Sequence, residues 1–112
     1  MERRRLVVGV SGSSAPHLAY TMLRELNAHE DIETHLVMTP GAKLCAKLEM
    51  GTPAKEFEEL ADVVHNPGNL AASISSGSFQ SMGMVVIPCS MKTLAAIAHG
   101  YSADLVSRAA DV

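Results

Sequence analysis

An α/β fold built on a parallel sheet is what this sequence predicts, and three features predict it. Short, continuous apolar runs rich in β-branched residues recur along the chain, as in strands buried on both faces. Between them lie segments whose apolar residues recur at helical spacing. Loops of Gly, Ser and Pro separate the two kinds, and regular alternation of strand and helix is the pattern of the α/β class.

The first strand is Leu6–Val10. A tight loop, Ser11-Gly12-Ser13-Ser14, follows it, and Pro16 suits the first turn of a helix over residues 16–28. Leu18, Met22 and Leu26 recur at spacing four there, with Ala19 and Leu23 beside them. Ile32–Met38 is the second strand, broken by Thr39-Pro40-Gly41. A second helix over Ala42–Glu49 carries Leu44, Cys45 and Leu48 on one side and ends at Gly51-Thr52-Pro53. Residues 54–61 form a weaker helix, residues 62–65 a short strand, and Asn66-Pro67-Gly68 a turn. Residues 69–82 are small and polar, but the interleaved Ala71, Ala72, Ile74 and Phe79 predict a packed segment rather than a free linker. Met84–Ile87 is the next strand, and a helix starts near Met91. A last helix begins near Ser102, its expected N-cap, and reaches Val112 without a Gly or Pro stop signal. That open end, with so few strands, leads to the expectation of one domain over residues 1–112 whose natural polypeptide continues.

Composition narrows the function. With 112 residues, 47% hydrophobic and 19% charged, the chain is an ordinary globular domain. Its net charge of −3 disfavours a nucleic-acid partner, and the one basic cluster, Arg3–Arg5, reads as a solvated terminal face. No stretch is long enough to span a bilayer, and the run Leu6–Val10 is too short for a signal peptide. Cys45 and Cys89 make no disulfide framework, so reduced thiols and a cytoplasmic location are expected. The five histidines show no ligand-like spacing, and no metal site is expected.

In open parallel sheets, ligands bind beyond the C-terminal ends of the strands. Three loops qualify. Ser11–Ser14 joins a strand to a helix start, where free amides and the positive helix end cradle anions. It is neither the G-x-G-x-x-G fingerprint nor a Walker loop. Pro88-Cys89-Ser90-Met91-Lys92-Thr93 repeats the arrangement, with a lysine in the first helical turn. Cys89 there reads as a small packed residue rather than a nucleophile. Thr39 either caps the second helix or donates to a ligand. Two hydroxyl-rich helix starts on one sheet edge suit a phosphate ester. Nothing acidic is placed to grip a ribose 2′-OH, so a mononucleotide such as FMN fits better than NAD.

The same residues carry a family resemblance over nearly the whole chain. Residues 8–14 (VGVSGSS), 33–38 (ETHLVM), 73–79 (SISSGSF), 87–94 (IPCSMKTL) and 107–112 (SRAADV) resemble the flavin prenyltransferases, the UbiX/Pad1-type proteins that include phenolic-acid decarboxylase B subunits. The resemblance implies a Rossmann-like, flavodoxin-like three-layer fold. It implies an enzyme that joins a dimethylallyl group from dimethylallyl phosphate to reduced FMN without a metal. The product would serve a UbiD-type decarboxylase, and the enzyme would assemble as a homo-oligomer, a dodecamer in this family. It places Gly12, Ser13 and Ser14 in the first flavin loop, Thr39 after the second strand, and Ser90, Met91, Lys92 and Thr93 in the second flavin loop. It makes Glu49 and Ser14 the catalytic candidates. Without it, Glu49 reads as an exposed residue paired with Lys43 or Lys47. Two departures stand out. Ala15 occupies a position where the family has glycine, at a cost of about 1 kcal/mol or more if φ there is positive. The family's Arg-Glu-Thr-Pro-like motif and its phosphate-gripping Lys, Arg and Tyr groups are not in these residues. The alternatives are a flavin-dependent cysteine decarboxylase and a non-catalytic FMN-binding or assembly module.

Overall fold

The computed structural model describes residues 3–102 and 104–112. The strands are β1 (Arg4–Val10), β2 (Ile32–Met38), β3 (Val63–His65) and β4 (Gly83–Val86). They form one parallel sheet in the order β3-β2-β1-β4. Register pairs Val10 with Met38 and Gly9 with Val86, so three strands end side by side. The chain steps outward from β1 to β2 and β3, then returns to the far side of β1. The switch point is therefore the crevice between β1 and β4, where such sheets bind ligands.

Strand parity divides the core. Val8, Val10, Leu36 and Met38 face one side, where they meet α1 (His17–Asn27), α2 (Pro40–Cys45) and α3 (Ala54–Glu58). Phe57 of α3 is fully buried there, with Tyr20 edge-on to it at 5.3 Å. Val7 and Val37 face the other side, packed by Ala72, Ile74 and α5 (Leu105–Asp111). Residues 69–82 are thus packed, as expected: a 3-10 turn at Ser73–Ser75 buries Ile74, and the Ser75 hydroxyl lies 2.7 Å from the carbonyls of Leu70 and Ala72. The remaining helix, α4 (Met91–Ala98), follows β4 and lies against α5.

Three expectations need correction. The buried stripe of α1 is Ala19 and Leu23, while Leu18 is 46% exposed. The second helix starts two residues earlier than expected, and its last turn, Ala46–Met50, is a π turn. It packs through Ala42 and Ala46, leaving Leu44 and Leu48 56% and 73% exposed. In this second helix small residues let the backbone approach the sheet, so side-chain size pointed to the wrong face. Finally, α5 is capped by Asp104, not Ser102. Asp104 Oδ1 accepts from the Ser107 amide at 3.0 Å and Ser107 Oγ accepts from the Asp104 amide at 3.2 Å. That reciprocal capping box satisfies two helix-start donors together.

Candidate functional site

The switch-point crevice is held shut at its base by Ser11, 1% exposed. Its amide and its hydroxyl lie 3.1 and 3.0 Å from the Pro88 carbonyl, and its Oγ accepts from the Ser90 amide at 2.6 Å. The loops after β1 and β4 are thereby fixed to each other. The Thr39 amide donates to the Val10 carbonyl at 2.9 Å, which adds the loop after β2.

Above Ser11 these loops enclose a cleft of about 370 Å³, lined by Gly12, Thr39, Pro40, Gly41, Ser90, Lys92, Thr93 and Asp104. Gly12 and Gly41 are in backbone contact: a Cβ on Gly12 would lie 2.9 Å from the Gly41 carbonyl carbon. Only glycine allows the first loop to come this close to α2. Ala15 has φ 71, the positive value expected to penalise alanine.

The hydroxyls divide their work. Thr39 Oγ1 accepts from the Ala42 amide at 3.1 Å, capping α2, and its own proton has no partner among the described residues. Capping and donation to a ligand are compatible there. Ser90 Oγ accepts from the Thr93 amide at 3.2 Å and lies 3.1 Å from Thr93 Oγ1. Ser90 therefore caps α4 and hands its proton to Thr93, whose own hydroxyl proton is left for the cleft. The amides of Met91 and Lys92 lie in the first turn of α4, where no i−4 carbonyl exists, and have no partner among the described residues. With the Lys92 ammonium they make the α4 end of the cleft a donor-rich, positive surface.

The structure thus brings Gly12, Thr39, Ser90, Lys92 and Thr93 together. Met91 stands outside that lining and is 78% exposed. Ser13 and Ser14 stand on the first loop outside the cleft lining. Glu49 is exposed on the π turn, is not among the residues of that lining, and pairs with neither Lys43 nor Lys47 among the described residues. Sequence reasoning missed Ser11 as a brace, Gly41 as the partner of Gly12, and Asp104 as part of the wall. Each depends on contacts between distant segments. At the far end of the sheet, Arg3, Arg4 and Arg5 lie 3.0, 3.6 and 3.7 Å from Asp62, Asp31 and Glu33, so that basic cluster is internally neutralised. No helix among the described residues is long and apolar enough to cross a membrane.

Comparison with known proteins agrees with this geometry. The family model "Flavoprotein" matches residues 1–112. A probable UbiX-like flavin prenyltransferase of Sedimentibacter hydroxybenzoicus is 56% identical over 96% of this chain and 57% of its own length. The crystal structure of AnUbiX (PadA1) in complex with FMN and dimethylallyl pyrophosphate superposes with a TM-score of 0.94 at 46% identity, over 98% of this chain and 58% of that one. A dodecameric FMN-dependent UbiX-like decarboxylase from Escherichia coli O157:H7 gives 0.94 at 50% identity, over 96% and 58%. The chain spans a little under three-fifths of the length of these relatives. With the whole chain matched and the flavodoxin-like sheet in place, this protein belongs to the flavoprotein family, in its UbiX-type branch.

Proposed function

We propose that this chain is the flavin-binding part of a flavin prenyltransferase. The reaction transfers a dimethylallyl group from dimethylallyl phosphate to reduced FMN, with phosphate leaving, and the prenylated flavin goes to a UbiD-type decarboxylase. The observation that carries this reading is the convergence of Gly12, Thr39 and the 90–93 loop on one cleft at the switch point.

The residues fit a phosphate-bearing flavin. The glycine contact keeps that wall free of side chains, and amide, hydroxyl and ammonium donors without partners among the described residues face the cleft. Asp104 is the one carboxylate in the lining, and its Oδ1 is taken by Ser107. When bound, FMN supplies the electron-rich reduced ring that the dimethylallyl carbon joins. This chain's own groups do the rest. Gly12, Thr39, Thr93 and the Met91 and Lys92 amides hold and orient the cofactor, and Ser90 shapes the loop that presents them. Ser13 and Ser14 extend the first loop beside it. Glu49, exposed and without a salt bridge among the described residues, would hold and return the proton the reaction needs, with Ser14 as the accompanying hydroxyl. Support for Glu49 comes from the family resemblance and from its π turn, a feature frequent at functional sites.

A homo-oligomeric assembly and a cytoplasmic location belong to the same reading. The exposed Leu44, Leu48 and Met91 are the apolar surface that assembly would cover. The deciding experiment mixes the intact protein with reduced FMN and dimethylallyl phosphate and follows the flavin mass. Gain of one prenyl unit is expected. Tight FMN binding with no mass gain would replace this reading by the non-catalytic one.

A further inference from the structure

Away from the cleft, Glu33 and His35 of β2 and His65 of β3 form a continuous hydrogen-bonded chain. Glu33 Oε1 lies 2.6 Å from His35 Nε2, and His35 Nδ1 lies 2.9 Å from His65 Nε2. The two rings lie nearly coplanar, edge to edge, with centroids 5.2 Å apart and planes inclined by 18°. His35 is 5% exposed, and Phe79 stands edge-on to it at 5.1 Å. Arg5 of β1 covers Phe79 at 5.0 Å and sets its Nε 3.7 Å from Glu33. One cluster therefore fastens both the edge strand β3 and the segment carrying Phe79 to the middle of the sheet.

Proton counting limits this cluster. A carboxylate only accepts, so His35 Nε2 carries a hydrogen. The N···N contact has room for one proton, with one ring donating and the other accepting. One imidazolium is tolerated, because Glu33 offsets its charge. Two are not, because opposed N–H groups and adjacent like charges would then meet across 2.9 Å. The other facing groups leave this balance intact. Lys43 and Glu58, one of each sign, line the cavity beside His65. Asp62 is engaged by Arg3 at 3.0 Å and by the Thr34 amide at 2.8 Å. Burial, and then the neighbouring His35, hold His65 below the usual imidazole range.

We propose that Glu33, His35 and His65 form a pH-operated latch, closed while the two imidazoles share one proton and opened by the second, which releases β3 and the Phe79 segment from the sheet. The proposal does not depend on the flavin reading. Since His65 binds its proton less readily when closed, the open state takes up more protons as pH falls. The latch is fully closed above about 6.5, the unperturbed imidazole value, and weakens below it.

The test is amide hydrogen exchange of the intact protein between about pH 8 and about pH 5, the range over which histidine titrates. After correction for intrinsic chemistry, exchange at Val63–His65 and Phe79 should rise severalfold at the acid end. His65→Gln keeps a hydrogen-bonding group without the titration and should remove that excess. Should His65→Gln fail to fold, imidazole nitrogen spectra of the wild type decide instead. The ring–ring hydrogen bond should be present near pH 8 and vanish toward about pH 5. Equal exchange in wild type and His65→Gln, or a ring–ring hydrogen bond that persists to about pH 5, overturns the proposal.

Discussion

Replacing Gly12 with alanine probes the contact on which the cleft depends. The added Cβ would lie 2.9, 3.0 and 3.2 Å from the carbonyl carbon, Cα and carbonyl oxygen of Gly41. Carbon atoms rest at about 3.5–4.0 Å, so relief needs a movement of roughly 0.5–1 Å. Neither side yields cheaply. Gly41 lies in the first turn of α2, pinned by the Thr39 cap, and Gly12 follows Ser11, which is tied to Pro88 and Ser90. Overpacking of this kind costs about 1–3 kcal/mol, and the movement that relieves it displaces one wall of the cleft. Gly12→Ala should therefore lower both the urea midpoint and the affinity for FMN. Two controls isolate the cause. A Cβ on Gly41 comes no closer than 3.4 Å to Gly12 Cα, so Gly41→Ala should be milder, with helix propensity returning up to about 1 kcal/mol. A Cβ on Gly77 meets nothing within 4 Å, and Gly77→Ala should change stability by less than about 0.5 kcal/mol. If Gly12→Ala matches Gly77→Ala in both stability and flavin affinity, the close-contact argument fails.

Ala15→Gly should stabilise the fold by up to about 1 kcal/mol, since relief of a left-handed alanine, about 1–2 kcal/mol, exceeds the added unfolded-state entropy; thermal unfolding shows the sign. Ser11→Ala strands the Ser90 amide in the base of the site and should cost about 1–3 kcal/mol, with weakened FMN binding in a fluorescence titration. Glu49→Gln should cut prenylated-flavin formation ~10²–10⁴-fold while FMN affinity holds; unchanged turnover would return Glu49 to the surface residues. Asp104→Ala should lower stability by about 0.5–2 kcal/mol and Ser102→Ala should not, because only Asp104 caps α5.

What was legible in the sequence is what local pattern determines. The central strand β1 announces itself because burial on both faces demands an unbroken apolar run, and Val7, Val8 and Val10 are buried accordingly. The loops that line the cleft were legible for a related reason: a parallel strand must end in a turn to a helix, and small hydroxylated residues there leave amides unpaired. What was hidden lies between segments. Nothing local distinguishes Ser11 from Ser13, yet one is a buried brace and the other stands outside the cleft lining. His35 and His65 lack metal-ligand spacing in the sequence, and only the pairing of β2 with β3 puts their rings in contact. The helix faces misled because size was taken for burial. Ala42 and Ala46 sit against the sheet, and the larger Leu44 and Leu48 point outward. Small residues set the distance at which an element docks, and large ones fill whatever space that distance leaves. The same rule governs Gly12 and Gly41: the narrowness of the contact, not any side chain, brings the first loop and α2 to the cleft. A cleft made this way owes its shape to residues that a search for reactive groups passes over.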